Sequence, residues 1–252
     1  MTEDKSIKGE RLQVVLARLG LASRRGVVSM IEAGDVKVNG VVVREKGHRV
    51  FAAKDTIEAQ GRTFEPAKNP PKRYFILNKP KGVMTTLQDP NAERTVADFF
   101  GDVPERIFPV GRLDRDTTGL ILMTNDGELA FRLMHPKFGV NKRYHALVEG
   151  FVSDAEIARI QKGVFIEDEK TAPCKIEIES REPSETRLFI TLHEGKKRQI
   201  RRIFEGIGHY VQELERLNYG PIALGEMRFG QRRELKPAEV RALYAAAGLK
   251  QP

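Results

Sequence analysis

Residues 108–120 of the chain read FPVGRLDRDTTGL. Between Gly111 and Gly119 they set two carboxylates (Asp114 and Asp116), two arginines (Arg112 and Arg115) and two hydroxyls (Thr117 and Thr118). An apolar run at 120–123 and an Asn125-Asp126-Gly127 turn follow. Carboxylates beside arginines are the material of general-base or nucleophilic chemistry. Polar loops flanking buried strands are where such sites concentrate. The plainer reading is that Asp114 only caps the turn through its side chain. The residues alone leave the two readings level.

Two acid-free basic runs accompany this loop. Residues 66–87 carry Lys68, Lys72, Arg73, Lys79 and Lys81, and residues 195–204 carry Lys196, Lys197, Arg198, Arg201 and Arg202. Either run alone is equally a solvated face. Together with Arg24/Arg25 and Arg228/Arg232/Arg233 they point to a surface that follows phosphates. Other chemistries lack their residues. One cysteine, Cys174, excludes a disulfide framework and a Cys-rich zinc site. The five histidines, at 48, 135, 145, 193 and 209, have no metal-ligand spacing, and His193-Glu194-Gly195 lacks a second His one turn on. No phosphate-cradling GxxxxGK[ST] occurs, and Gly206-Ile207-Gly208 is too short for a dinucleotide fingerprint. No cofactor and no metal are expected.

The composition fits a soluble globular protein: 252 residues, 40% hydrophobic and 31% charged, enough for a large domain with a small one. Lys and Arg number 43 against 35 Asp and Glu, a net charge of +8, which suits a polyanionic partner without specifying one. No apolar run approaches the roughly 18–20 residues needed to cross a bilayer. The opening MTEDKSIKGE has no apolar secretory core. The expectations are no membrane, a cytoplasmic location and a monomer.

The elements that must position these residues follow from periodicity. Leu12, Val15, Leu16 and Leu19 form a helical stripe that Gly20 can end. Ser23 is a candidate N-cap for a second helix carrying Val27, Met30 and Ile31, with Gly34 past its end. Asn39-Gly40 between valine-rich runs predicts a two-residue hairpin. Residues 1–60 thus read helix–helix–hairpin, with Arg24 and Arg25 opening the second helix. Residues 61–72, rich in proline, read as a linker, and 73–252 as the larger domain. There, strands are predicted at 74–77, 120–123, 144–148, 175–179 and 187–192, and helices at 96–100, 127–134, 154–161, 201–206 and 237–247. The class is α+β, with a mixed, mainly antiparallel sheet flanked by helices.

Residues 111–130, GRLDRDTTGLILMTNDGELA, resemble the signature loop of RNA pseudouridine synthases, in the branch that modifies ribosomal RNA at single sites. Supporting segments occur in order: Asn78-Lys79-Pro80-Lys81-Gly82, Lys142-Arg143-Tyr144, residues 194–202 (EGKKRQIRR), Leu214-Glu215-Arg216 and Gly220-Pro221-Ile222. The first 60 residues resemble the small S4 (alpha-L) RNA-binding module that precedes such a catalytic domain.

The resemblance implies an isomerase. It breaks the uridine glycosidic bond, turns the uracil and rejoins it to ribose through carbon 5, with no cofactor. Asp114 is implied as the catalytic carboxylate, either nucleophile at the sugar or base at its 2′ position. Burial alone would neutralise such a group, so a fixed cation is expected beside it, and the family pattern puts that cation at Arg201. Tyr144 is implied to stack on or touch the uracil, while Asp116 reads as a loop-structuring residue. The target base must be extruded from folded RNA. Arg112, Lys79, Lys197, Arg198 and Arg202 are candidates to hold the splayed backbone, with Arg24 and Arg25 on the amino-terminal module. The implied partner is ribosomal RNA or a ribosome assembly intermediate, with 23S preferred over 16S. A non-catalytic RNA-binding assembly factor is the competing reading.

Overall fold

The computed structural model describes residues 9–51, 54–65 and 69–250; Lys68 and residues 1–8 of the opening MTEDKSIKGE lie outside them. The chain forms two compact units, Met1–Lys72 and Arg73–Pro252.

In the first unit, helix α1 (Leu12–Arg18) buries Leu12, Val15 and Leu16. Helix α2 (Arg24–Ala33) begins where the Ser23 hydroxyl accepts from the Gly26 N–H at 3.0 Å. It ends at Gly34, left-handed at φ 86°, and Arg44 caps its last turn by donating to Ala33 O at 2.6 Å. Strands β1 (Val36–Val38) and β2 (Val41–Val42) meet through Asn39 and Gly40, at φ 52° and 79°. Those positive angles are what an Asn-Gly hairpin turn requires.

The hairpin belongs to a larger sheet than the spacing predicts. Strands β3 (Ile57–Ala59) and β4 (Arg62–Phe64) continue it in the order β2-β1-β3-β4. The linker expected from residue 61 is thereby corrected, since Arg62–Phe64 pairs antiparallel with Ile57–Ala59. Gln60 and Gly61, both at positive φ, make the turn, and Phe64 is buried with Leu12, Leu16, Val27, Ile31 and Ile57. One aromatic inserted in that core outweighs the polar neighbours that hid the strand.

The second unit is built on one mixed sheet. Its long path runs through β5 (Tyr74–Lys79), β6 (Thr118–Thr124), β7 (Lys142–Glu149), β8 (Lys175–Arg181), β9 (Glu185–Leu192), β10 (Val211–Tyr219) and β11 (Arg232–Glu234). The order in space is β8-β9-β7-β10-β6-β5-β11, antiparallel throughout except where β10 lies parallel to β6. Strand β6 is the centre: Leu120 and Leu122 point into one core, Ile121 and Met123 into the other. Helices α4 (Asp154–Gln161) and α5 (Gln199–Glu205) bury Ile157, Ile160, Ile200 and Ile203 in the core with Ile121. Helices α3 (Gly127–Met134) and α6 (Pro237–Ala246) bury Leu129, Leu133 and Leu243 in the core with Leu120. Residues Val96–Phe99 form a 3-10 turn rather than a full helix. The class is α+β, with helices on both faces of the sheet.

Candidate active site

The acidic loop runs from Val110, whose N–H donates to Leu122 O at 2.8 Å, to Gly119 at the start of β6. It is fastened to the turn after β5. Thr85 Oγ1 donates to Leu113 O at 2.7 Å and accepts from the Leu113 N–H at 3.2 Å, while the Gly82 N–H donates to Arg115 O at 2.8 Å. Within the loop the Thr117 N–H donates to Asp114 O at 3.1 Å. At the far end, Gly119 has φ 98°, and a Cβ there would lie 2.4 Å from Arg216 O. Only glycine lets β6 and β10 approach this closely. The glycine is therefore a condition of the parallel pairing that holds the loop.

So held, the loop turns both carboxylates outward, Asp114 with 41% and Asp116 with 39% of its side-chain area exposed. They border a pocket of about 620 Å³ that is also lined by Lys81, Met84, Thr85, Arg112, Arg115, Lys197 and Arg198. That volume falls in the range of roughly 300–1,000 Å³ usual for small-molecule sites. Two cations meet the carboxylates from α5. Arg198 Nη1 stands 3.9 Å from Asp114 Oδ2 and 3.4 Å from Asp116 Oδ1. Its own backbone is left-handed at φ 51°, a conformation that costs a non-glycine residue about 1–3 kcal/mol and tends to persist at functional sites.

Arg201 is nearly buried and fixed from two sides. It donates to Val211 O at 2.6 Å and to Asp116 O at 3.3 Å, and it pairs with Asp116 Oδ2 at 3.2 Å. Burial pulls its guanidinium below the ordinary arginine value, and Asp116 pushes back. The expected arrangement is thus corrected at three points. Arg201 pairs with Asp116 rather than Asp114, the cation drawn up to Asp114 is Arg198, and Asp114 itself is far from buried. Asp116 gathers both arginines instead of merely shaping the loop. Sequence reasoning had a signal for this, because Asp116 stands two residues from Asp114 in the same glycine-bounded loop.

Lys79, expected on the RNA, is corrected as well. It is 0% exposed, and its ammonium donates to Pro80 O at 3.0 Å and Val83 O at 2.9 Å, shaping the turn that grips the acidic loop. Burial brings it down to about 8, with Asp116 and Asp114 pulling the other way. Two further buried cations went unassigned in the sequence. Lys142 donates to Val140 O and His193 O, both at 3.2 Å, and burial likewise brings it to about 8. Arg216 donates to Leu120 O at 2.7 Å, with its guanidinium 6.0 Å from the Tyr144 ring centre and 5.0 Å from that of Tyr219. Such apolar-looking burial of charge is invisible to a reading that counts basic residues as surface.

The remaining expected residues divide. Arg112 and Lys197 are exposed on the pocket. Tyr144 is buried on β7, and neither it nor Arg201 lines the pocket. Arg202 pairs with Glu167, outside the lining. Arg24 and Arg25 are exposed at the start of α2 in the amino-terminal unit. Among the described residues no group of three or more His, Cys, Asp or Glu side chains could hold a metal ion, and no helix is long and apolar enough to cross a membrane.

The second unit is thus a mixed sheet that carries a carboxylate loop beside a cation-edged pocket, and a small separate unit precedes it. The family model for RNA pseudouridylate synthase matches residues 73–206, and the S4 domain model matches residues 10–55. The chain belongs to the RNA pseudouridylate synthase family, and is an isomerase carrying an S4 domain. It is 45% identical over 240 residues to ribosomal large subunit pseudouridine synthase B of Bacillus subtilis, covering 94% of this chain and 97% of the relative. It is 43% identical over 241 residues to an uncharacterized RNA pseudouridine synthase of Aquifex aeolicus, covering 95% and 96%. A crystal structure of a pseudouridylate synthase superposes with a TM-score of 0.67 at 29% identity, covering 93% of this chain and all of the other.

Proposed function

We propose that the chain isomerises a specific uridine of large-subunit ribosomal RNA to pseudouridine, with Asp114 as the carboxylate that acts on the flipped nucleotide. One observation carries the mechanism: Asp114 is solvent-open on a cation-edged pocket, on a loop hydrogen-bonded to rigid elements. The substrate class is supported by the Bacillus subtilis relative, whose own name refers to the large ribosomal subunit.

Net, the N1–C1′ bond breaks, the C5–C1′ bond forms, the C5 proton leaves and N1 takes one up. Extruding the uridine costs a few kcal/mol. Arg112, Lys81 and Lys197 on the pocket, with Arg198, repay part of this by gripping phosphates of the splayed strand. Arg198 then has two roles, since phosphate competes with the carboxylates for it. Asp114 attacks the sugar or takes its 2′ proton, and either route requires it ionised. Arg201, pinned by Asp116, supplies positive potential to the loop whether or not RNA is bound. Tyr144, buried on β7 and outside the pocket lining, meets the uracil only once the entering nucleotide displaces the residues between them. Residues 1–60 act as a separate RNA-binding module through Arg24 and Arg25, raising the local concentration of the catalytic domain at its site. The protein works in the cytoplasm, as a monomer, on rRNA or an assembly intermediate.

The test is a pseudouridine map of ribosomal RNA from a strain lacking this protein. Loss of modification in large-subunit RNA is expected. An unchanged map, or a loss confined to small-subunit RNA, overturns the substrate assignment.

A further inference from the structure

Helix α3 breaks the rule for a surface helix. Its inward residues Leu129, Ala130 and Leu133 are buried, yet its outward stripe carries Phe131, 50% exposed, and Met134, 41% exposed, where charged residues are the norm. The ring of Phe131 does not stand alone. His135 lies 5.3 Å from it and Phe138 6.1 Å from it, centre to centre, so three rings form one cluster in which Phe131 and His135 are exposed and Phe138 is half-buried. Arg132 sits 5.1 Å over Phe138 and is fixed by Glu128 at 3.0 Å and by Gly248 O at 3.1 Å. Its pairing accounts for the nearby acid, while Lys137, within the aromatic segment, and Arg112, one residue past the Gly111–Met134 contact, are exposed. The stripe is continuous with the catalytic pocket, because the Gly111 N–H donates to Met134 Sδ at 3.0 Å and the next residue, Arg112, lines that pocket.

We infer that Phe131, backed by His135 and Phe138, is a stacking platform for an unpaired RNA base next to the flipped uridine. The inference rests on the reading that the pocket takes a nucleotide of RNA. Rigid aromatic faces edged by cations are what a single strand uses to hold successive bases, and the contact is indifferent to which base it is. Extrusion of the target leaves a neighbouring base unstacked, and a ring linked to the pocket lining through Met134, Gly111 and Arg112 replaces the lost stacking. A flat apolar face without nearby cations would suit a protein; the exposed Arg112 and Lys137 favour the polyanion.

Two measurements on the full chain test this. On a 23S rRNA transcript, Phe131→Ala raises the half-saturating RNA concentration by about fivefold or more and leaves the rate at saturation unchanged, whereas Phe131→Trp behaves like the wild type. In fluorescence anisotropy with a short labelled oligoadenylate, Phe131→Ala weakens binding by a similar factor but does not change binding of a duplex of equal length. Less than about a twofold change in both assays, or equal losses for single strand and duplex, overturns the platform. A wild type inactive on 23S rRNA whose oligoadenylate binding still depends on Phe131 overturns the substrate reading and leaves the platform standing.

Discussion

Asp114 is the smallest unit of the account, and its neighbours decide what it can do. Arg201 is held by Val211 O and Asp116 and does not line the pocket, whereas Lys197 is exposed at the rim. Arg201→Ala is therefore expected to lower turnover by at least about tenfold, and Lys197→Ala chiefly to raise the half-saturating RNA concentration. Equal losses in both parameters would mean that α5 acts only as a phosphate clamp. Lys79 gives a second expectation, with a definite sign. Burial lowers it from 10.5 to about 8 in the folded chain. Between those values the unfolded chain binds more protons, so this group's contribution to stability rises with pH. Urea unfolding at pH 7.5 and pH 10 is expected to widen the gap between wild type and Lys79→Met by ~1–3 kcal/mol in favour of wild type. A gap that does not move with pH contradicts the burial. Asp114, Arg112 and Lys197 all line the pocket, in keeping with the sequence reading, in which residue type and spacing left Asp114 between turn cap and catalyst and the family resemblance singled it out. The roles of Asp116, Arg198 and Lys79 were not legible there, because which carboxylate an arginine reaches depends on how α5 meets the acidic loop, a contact between residues more than 80 positions apart.

Elements repeat that division between local and distant. Helices α2, α3 and α4 were readable with their ends, since Ser23, Asp126 and Ser153 cap them through their own side chains and the signal is local. Strand β10 was not predicted, although it is the nine-residue parallel partner of the loop-bearing strand. Its sequence, VQELERLNY, offers no clean alternation, because irregular pairing with β7 between Arg143/Tyr144 and Leu147/Val148 shifts which residues face inward. The four-stranded sheet of the amino-terminal unit was half legible for a similar reason: its Asn-Gly turn announces itself and its Gln-Gly turn does not. The junction of β6 with β10 yields the element-scale prediction. Gly119→Ala is expected to destabilise the chain by at least about 2 kcal/mol more than Gly82→Ala in urea unfolding. Both residues have positive φ, but a Cβ at 119 meets backbone at 2.4 Å whereas one at 82 meets nothing within 4 Å. Similar losses would show that close approach to Arg216 does not hold the acidic loop.

At the scale of the whole molecule, the surplus of eight positive charges acquires a distribution. Part of it is buried as Lys79, Lys142 and Arg216. Part edges the pocket beside Asp114, and part, as Arg24 and Arg25, is exposed on the S4 domain. If the module tracks phosphates, Arg24→Ala with Arg25→Ala weakens binding of all RNA sequences alike and flattens the salt dependence, by a log–log slope of about 1.4–1.8. An unchanged slope would mean that other residues of the module make the contact. The central claim is that a single carboxylate does the chemistry while the rest of the protein delivers the uridine to it. The most direct measurement is pseudouridine formation in a 23S rRNA transcript by purified wild type and Asp114→Asn, with RNA affinity determined for both. The account predicts near-equal affinity and no detectable pseudouridine from the variant. Pseudouridine formed by Asp114→Asn at a rate comparable to wild type would contradict it.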